Sequence, residues 1–499
     1  MLTRRALALA ALPTCAIGQP ARPSLRIAVP KIANTGTLDP LREQSSNASE
    51  RYIGLILETL IGRDLSPGLA TAWRRVDART VELTLRPGVT THDGRTLTAD
   101  DVQFSFVRAN ADAPADLAAV AARHIPALDR VDIVDAATVR FVTSTPDLAL
   151  EQRLTAGGTQ IVPAATARPW ARFAQAPIGT GPYRVVSFRP DVSLTLEAHD
   201  AHWAGRPPLA TVTFMEMPEA AARADALAAG EVQLSTDVAP DQIVTIERNP
   251  RLTVIGGPVP NHRLLVFDHH HPTLRDPRIR QAMAHAVDGQ AIVDGLWLGR
   301  TRVPPGLQFD QYGPMRIDGW TVPHTDPVLA RTLLRDARYD GAPIPYRIRN
   351  NYYPAEVATA QVLVEMWRAV GLNVQLSVHE NWAQILGTGI VRGARDWSNS
   401  AVFADPSSSL TNQHGPRGAQ QTNGEWSNAE FNALSTTLDH GTTLAARRAA
   451  FARMLMIAER EDPAYVVLHQ TASFIAKPRA LPFRAGGTFA LDLGAGGFG

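Results

Sequence analysis

The sequence predicts a mixed α/β to α+β protein of two or three domains. Three observations carry that expectation. The chain has 499 residues, too many for one ordinary hydrophobic core. Period-two apolar runs, which mark half-buried strands, alternate along it with runs of helical period. No segment of about 20 to 50 residues recurs in tandem, which argues against a solenoid or a propeller.

The N-terminus has the pattern of a secretory signal. Arg4 and Arg5 precede a short apolar stretch from Ala6 to Ala11, and Ala16-Ile17-Gly18 offers a small-x-small cleavage site. Residues 1–18 are therefore expected to be a signal peptide, with Thr3 to Leu7 loosely fitting a twin-arginine version. Lipidation at Cys15 is the rival reading. Pro13 and Thr14 are unusual before a lipidated cysteine, so cleavage near Gly18 is preferred. Cys15 is the only cysteine, so a chain cleaved there has neither a disulfide nor a thiol nucleophile.

Arg26 to Val29 is a first strand. Val81, Leu83 and Leu85 alternate with polar residues in another, which Pro87-Gly88 stops. Asp93-Gly94 is a turn, and Thr98 with Asp101 forms a capping box that opens a helix through Phe106. Asp276-Pro277 and Asp326-Pro327 each start a helix. In the first of these, Ile279, Ala282, Met283, Ala286 and Val287 share one face. Ala445 to Glu459 is a further helix, and Tyr465 to Leu468 a short β-type run. The stretch from Asn381 to Gly424 has weak periodicity and is rich in Gly, Asn, Ser and Trp. It is expected to be irregular and to border a binding region.

Composition is that of a globular chain, with 45% hydrophobic and 19% charged residues. The net charge of +1 gives no footprint for nucleic acid or a membrane surface. Only Lys31 and Lys477 are lysines, an arginine bias that we attribute to genome composition. No later stretch has the ~18 to 20 continuous apolar residues of a membrane span.

Signals of catalysis are weak. The sequence has no Gly-x-Ser-x-Gly elbow and no phosphate-binding loop. His379-Glu380 begins like a zinc-protease helix, but Ala383 stands where the second histidine belongs. Gly494, Gly496 and Gly499 match a dinucleotide fingerprint with no helix after it. His269-His270-His271 is tempting as a metal site. Adjacent side chains on an extended chain point to opposite faces, so a solvated turn before Pro272 is expected instead. His414 is taken as a loop residue. No cofactor and no catalytic residue is assigned.

The motif order resembles that of the bacterial extracellular solute-binding proteins, family 5, the class serving peptide, nickel and oligopeptide importers. Thr37-Leu38-Asp39-Pro40 is similar to its first loop. The block from Leu69 to Trp73, then Val81 to Gly94 and Leu97 to Val102, is similar to its signature, with Thr91 in place of the usual aromatic. Further likenesses are Gly179-Thr180-Gly181-Pro182-Tyr183, Leu227 to Glu231, Arg278 to Asp288 and Asp405-Pro406.

The resemblance implies a two-lobed periplasmic binding protein with an extra subdomain on the first lobe and a hinge between the lobes. On that pattern lobe one takes residues 24–260, with the subdomain at about 53–175. Lobe two takes 261–471, and 472–499 return to lobe one. The implied activity is capture of a small-molecule or peptide-like solute, delivered to the membrane permease subunits of an ABC importer. The protein is expected to be a periplasmic monomer and not an enzyme. A peptide-binding receptor of the same family, a periplasmic hydrolase on the same scaffold, and a chemoreceptor partner or chaperone are the alternatives. By the same analogy Asn34 and Thr35 border the cleft, as do Trp397, Asn399, Phe403 and Asp405; Asn350 and Tyr352, with Tyr353, form a polar-aromatic loop beside them. Peptide-binding relatives carry an aspartate three residues before the late acidic-Pro pair. The position here is Val402, so ordinary di- and tripeptides are expected to bind weakly or not at all.

Overall fold

In the computed structural model, residues 22–43, 47–107, 125–350, 352–387 and 392–498 are described. The expected signal segment and Cys15 lie outside them. Strand β1 (Ser24–Val29) is followed by β2 (Ala70–Asp77), β3 (Thr80–Leu85), β4 (Leu128–Asp135) and β5 (Thr138–Thr143). Next come β6 (Tyr183–Arg189), β7 (Ser193–Ala198), β8 (Thr211–Glu216), β9 (Leu234–Ser235) and β10 (Leu252–Phe267). β11 (Ile344–Arg349), β12 (Val374–His379), β13 (Ala394–Ser400) and β14 (Tyr465–Pro478) complete the series.

Ten strands form one sheet in the order β12-β11-β13-β10-β14-β9-β1-β8-β7-β6, and the other four form a small sheet, β2-β3-β5-β4. The small sheet has its own core, built from Val81, Leu83, Val102, Val139 and Phe141. This is where the alternating run was expected, and Val81 and Leu83 are fully buried.

Two long antiparallel strands join the halves of the large sheet. β10 pairs with β14 from Leu252↔Pro478 to Pro258↔Ala472. The register then breaks and resumes at His262↔Gln470. On one side of the break β14 continues to β9, and on the other β10 continues to β13. Each half has a buried cluster of its own, Ile27, Val212 and Phe214 in one and Leu264, Phe309 and Phe451 in another, and a further cluster runs across both from Ala28 and Leu227 to Phe267 and Trp367. β14 is 14 residues long, much longer than the expected run ending at Leu468. The polar stretch His469-Gln470-Thr471 hid the continuation. It lies at the register break, where the Gln470 amide donates to the Val259 carbonyl at 2.8 Å and the Thr471 hydroxyl to Asn261 Oδ1 at 2.9 Å.

The helix signals have their expected partners. Asp276 accepts from Arg278 N, and Asp326 from Val328 N and Leu329 N. Thr98 and Asp101 exchange hydrogen bonds at the start of helix Ala99–Val107. Gly179 and Gly181 sit where a Cβ would run into the backbone carbonyls of Ile56 and Leu55, which is why this turn needs glycine. The stretch 381–424 is less irregular than expected. It holds helix Trp382–Leu386, with a capping box between Asn381 and Gln384, then β13 and helix Leu410–His414. Its period was hidden because β13 is buried over most of its length on both faces.

Candidate functional site

β13 and the loop after it form the wall of two adjoining cavities. The larger, about 880 Å³, is lined mainly from the β11–β13 half of the molecule, with Asn47 and Pro126 from the other half. The smaller, about 380 Å³, is lined mainly from the β1 half, together with Pro260 and residues 400–402. Asn47, Ser400 and Val402 line both, so the two form one continuous cleft between the halves.

An aromatic wall dominates the larger cavity. Tyr352, Trp382 and Trp397 make successive edge-to-face contacts, with centroids 5.2 and 5.0 Å apart. Tyr353 packs on Tyr352 at 4.7 Å. Buried cations brace the wall from behind: the Arg263 guanidinium lies 3.7 Å from the Tyr353 ring centre, and Arg395 lies 4.5 Å from that of Trp397. Arg263 is paired with Asp396, which also accepts from the Tyr346 hydroxyl. Arg395 makes a two-pronged pair with Glu425, both bonds at 2.6 Å. Burial pushes the Asp396 and Glu356 carboxyls above the usual carboxylate range. Glu356 accepts from the backbone N–H groups of Tyr352 and Tyr353 at 2.8 and 3.0 Å, which fixes the loop that presents those rings. The wall is thus held by interior ion pairs and puts aromatic surface on the cavity.

The expected site residues divide. Tyr352, Trp397 and Phe403 line the larger cavity, and Val402 lines both. Phe403 also reaches the other half, packing with Ala149 and Ala156 under the Arg153 guanidinium. Asn399 and Asp405 do not line either cavity. The Asn399 amide donates to the Ser409 carbonyl at 3.1 Å, away from the cleft. Both carboxylate oxygens of Asp405 accept from Arg447 at 2.8 Å. Asn34 and Thr35 donate backbone N–H groups to Glu43, and of the three only Glu43 lines the smaller cavity. Asn350 is exposed; its N–H donates to the His379 carbonyl at 3.0 Å, and it lines neither cavity.

Sequence reasoning missed Trp382 and Asp439. Trp382 opens a short helix, and the Asn381 cap just before it was the available signal. Asp439 ends a helix with nothing local to mark it. The three consecutive histidines are placed differently, the rings of His269 and His270 meeting edge to face at 4.4 Å. The expected solvated turn holds for His270, which is exposed and donates its N–H to Asp268 Oδ1 at 2.9 Å, whereas His271 is buried. His414 is also buried rather than a surface loop residue, and burial lowers its imidazole to about 4.

Two sheet halves joined by a pair of long strands, with a cavity between them walled by aromatic rings, define a cleft-type solute receptor. The comparisons agree. Residues 64–422 match the model of the bacterial extracellular solute-binding proteins, family 5 (middle region), and the chain belongs to that family. It is 26% identical over 357 residues to the glutathione-binding protein GsiB of Pectobacterium atrosepticum, covering 66% of this chain and 67% of that one. It is also 26% identical over 382 residues to the dipeptide-binding protein of Escherichia coli, covering 70% and 69%. The fold is similar to that of the periplasmic binding protein DppA of Helicobacter pylori in complex with the peptide STSA. There the TM-score is 0.80 at 19% identity, over 94% of this chain and 96% of that one. NikA of Staphylococcus aureus in complex with Ni(L-His)2 gives a TM-score of 0.78 at 18% identity, over 94% and 98%. These relatives are binding proteins. Among the described residues no helix is long and apolar enough to cross a membrane.

Proposed function

We propose that this chain is the periplasmic receptor of an ABC importer, exported by the segment 1–18, which captures a small solute in the cleft and delivers it to membrane permease subunits without turning it over. The observation that carries the reading is the continuous cleft lined from both halves. Lobe one is assigned residues 24–260, including a subdomain at about 53–175, and lobe two residues 261–471; the segment 472–499 returns to lobe one. The register break between Pro258 and His262, opposite Ala472 and Gln470, supports a hinge at those boundaries. Contacts across the cleft mouth support a closed arrangement. Arg153 reaches Ser407, and the His440 ring lies 3.1 Å from the Thr145 hydroxyl. A solute touching both lobes favours closure by its extra affinity for that form. The receptor works as a monomer and binds no nucleic acid.

The chain's ligand is a solute other than an ordinary di- or tripeptide. The named relatives bind glutathione, dipeptides, a peptide or a nickel complex. Val402, at the position where peptide-binding relatives hold the α-amino group, supports a different preference, since an apolar side chain there leaves an ammonium unpaired. Trp397, Tyr352 and Phe403 supply the packing surfaces. Small-angle scattering tests the closure: the radius of gyration falls on saturation with a verified solute, and an unchanged profile contradicts it. A thermal-shift panel tests the ligand class, because a ligand at 100 times its Kd stabilises by about 2.7 kcal/mol. A dipeptide mixture giving such a shift, kept in Val402→Ala, would sink the non-peptide assignment.

A further inference from the structure

One acidic side chain on the cleft wall has no partner. Asp439 lies in the last turn of helix Ala429–His440 and lines the larger cavity. Its residue is 6% exposed, and its Oδ1 is buried without a hydrogen bond. The acids around it are already neutralised: Arg153 donates to Asp147 at 2.8 Å, and Arg447 to Asp405 at 2.8 Å. Among the described residues no cation pairs with Asp439. The end of its own helix carries partial negative charge and does not stabilise a carboxylate. A buried carboxylate with no ion pair of its own is costly to charge, so either it stays protonated or something from the cavity pairs with it.

We propose that Asp439 is the cation-recognising group of the cleft, and that the solute carries an N–H cation, an ammonium or guanidinium, which donates to this carboxylate. The inference rests on the cleft reading above and adds the charge of the ligand. The aromatic rings of Tyr352, Trp382 and Trp397, each with a protein guanidinium over it, line the same cavity and suit the apolar part of such a molecule. Arg417, which lines this cavity as His440 does, is exposed, where solvent and salt screen its repulsion. Burial pushes the Asp439 carboxyl above the usual range, while Arg153 and His440 pull it down and Asp405 and Asp147 push it up. A bound cation brings it back to the charged form.

Calorimetric titration with agmatine and putrescine as cation probes, and succinate and 1,4-butanediol as anionic and neutral controls, tests the assignment. The expected result is that at least one cation binds the wild type and binds D439N about tenfold or more weakly, the loss of one charge-assisted pair. Unliganded D439N should melt no lower than the wild type, since no protein contact is removed. Equal cation affinity in both proteins overturns the proposal, as does binding of neither cation. Binding of succinate or butanediol alone overturns it too, but leaves the cleft reading standing. A dipeptide whose binding is lost in D439N supports Asp439 and removes the non-peptide assignment instead. If D439N does not fold, the wild type decides. Cation affinity falls as the pH is lowered through the raised range of the carboxyl, with Asp147, Arg153, Asp405, Arg447 and His440 as the charged neighbours, and an affinity independent of pH overturns the proposal.

Discussion

The block from Val81 to Val102 and the segment from Trp382 to Asp405 differ in where their partners lie along the chain. In the first, Thr98 bonds to Asp101, and the turn at Asp93 is closed by Thr91 and Arg95. In the second, Asp396 pairs with Arg263, Arg395 with Glu425, and Asp405 with Arg447. The turn and helix start of the first region are closed by neighbours a few residues away and are the fold's punctuation, while its strand pairs with β5 and His92 bonds to Gly179 and Gly181. The second is held by tertiary partners and shapes the cleft. A ligand site assembled from distant segments is fixed by packing that no local pattern records.

The largest expected effect lies on the tertiary side and is a pH effect. Burial lowers His262 and His469, beside the register break, to about 3 from the ordinary 6.5. Both stay neutral in the fold, while in the unfolded chain they take up protons near 6.5. Their contribution is complete above that pH and is lost as the pH falls toward the folded values, at no more than about 1.4 kcal/mol per pH unit for each ring. The raised carboxyls of Asp396 and Glu356 act in the opposite sense, so wild type must be compared with a His262→Gln/His469→Gln double variant. Urea midpoints should fall more steeply with acid in the wild type, and parallel curves would refute the assignment.

Next in size is the bracing behind the aromatic wall. Asp396→Ala strands Arg263 and the Tyr346 hydroxyl in the interior and should cost about 3–5 kcal/mol by chemical denaturation. A loss below about 1 kcal/mol would show that the pair is not what fixes the wall. Gly181→Ala should cost about 1–3 kcal/mol, because its Cβ meets the Leu55 carbonyl and the backbone must move. The smallest effect belongs to the local block. Thr98→Ala removes one cap and should cost about 1 kcal/mol. If it costs as much as Asp396→Ala, the contrast between locally and distantly held regions fails.

Much of the scaffold could be read from the sequence for this reason. The alternation through Leu85, the Asp-Pro helix starts and the Thr98–Asp101 capping box each express a rule that acts within a few residues. At the site, Tyr352, Trp397, Phe403 and Val402 were named from motif position and do line the cleft. Asn399 and Asp405 came from the same motif, but Asn399 is fully buried with its amide taken by the Ser409 carbonyl, and Arg447, 42 residues away, takes the Asp405 carboxylate. The three adjacent histidines drew notice, while the strongly perturbed imidazoles, His92, His262, His414 and His469, stand alone in the sequence. Asp439 was invisible because its significance is a missing partner, which only the folded surroundings define.

The central claim is that one solute occupies the cleft between the halves and leaves it chemically unchanged. Native mass spectrometry after incubation with a bacterial small-molecule extract tests it most directly, run on the wild type and on Val402→Arg, which fills the junction of the two cavities. The account predicts a single adduct per wild-type chain, released on denaturation with its mass unaltered and absent from Val402→Arg. An adduct that survives in Val402→Arg, or release of a chemically altered product, would contradict it.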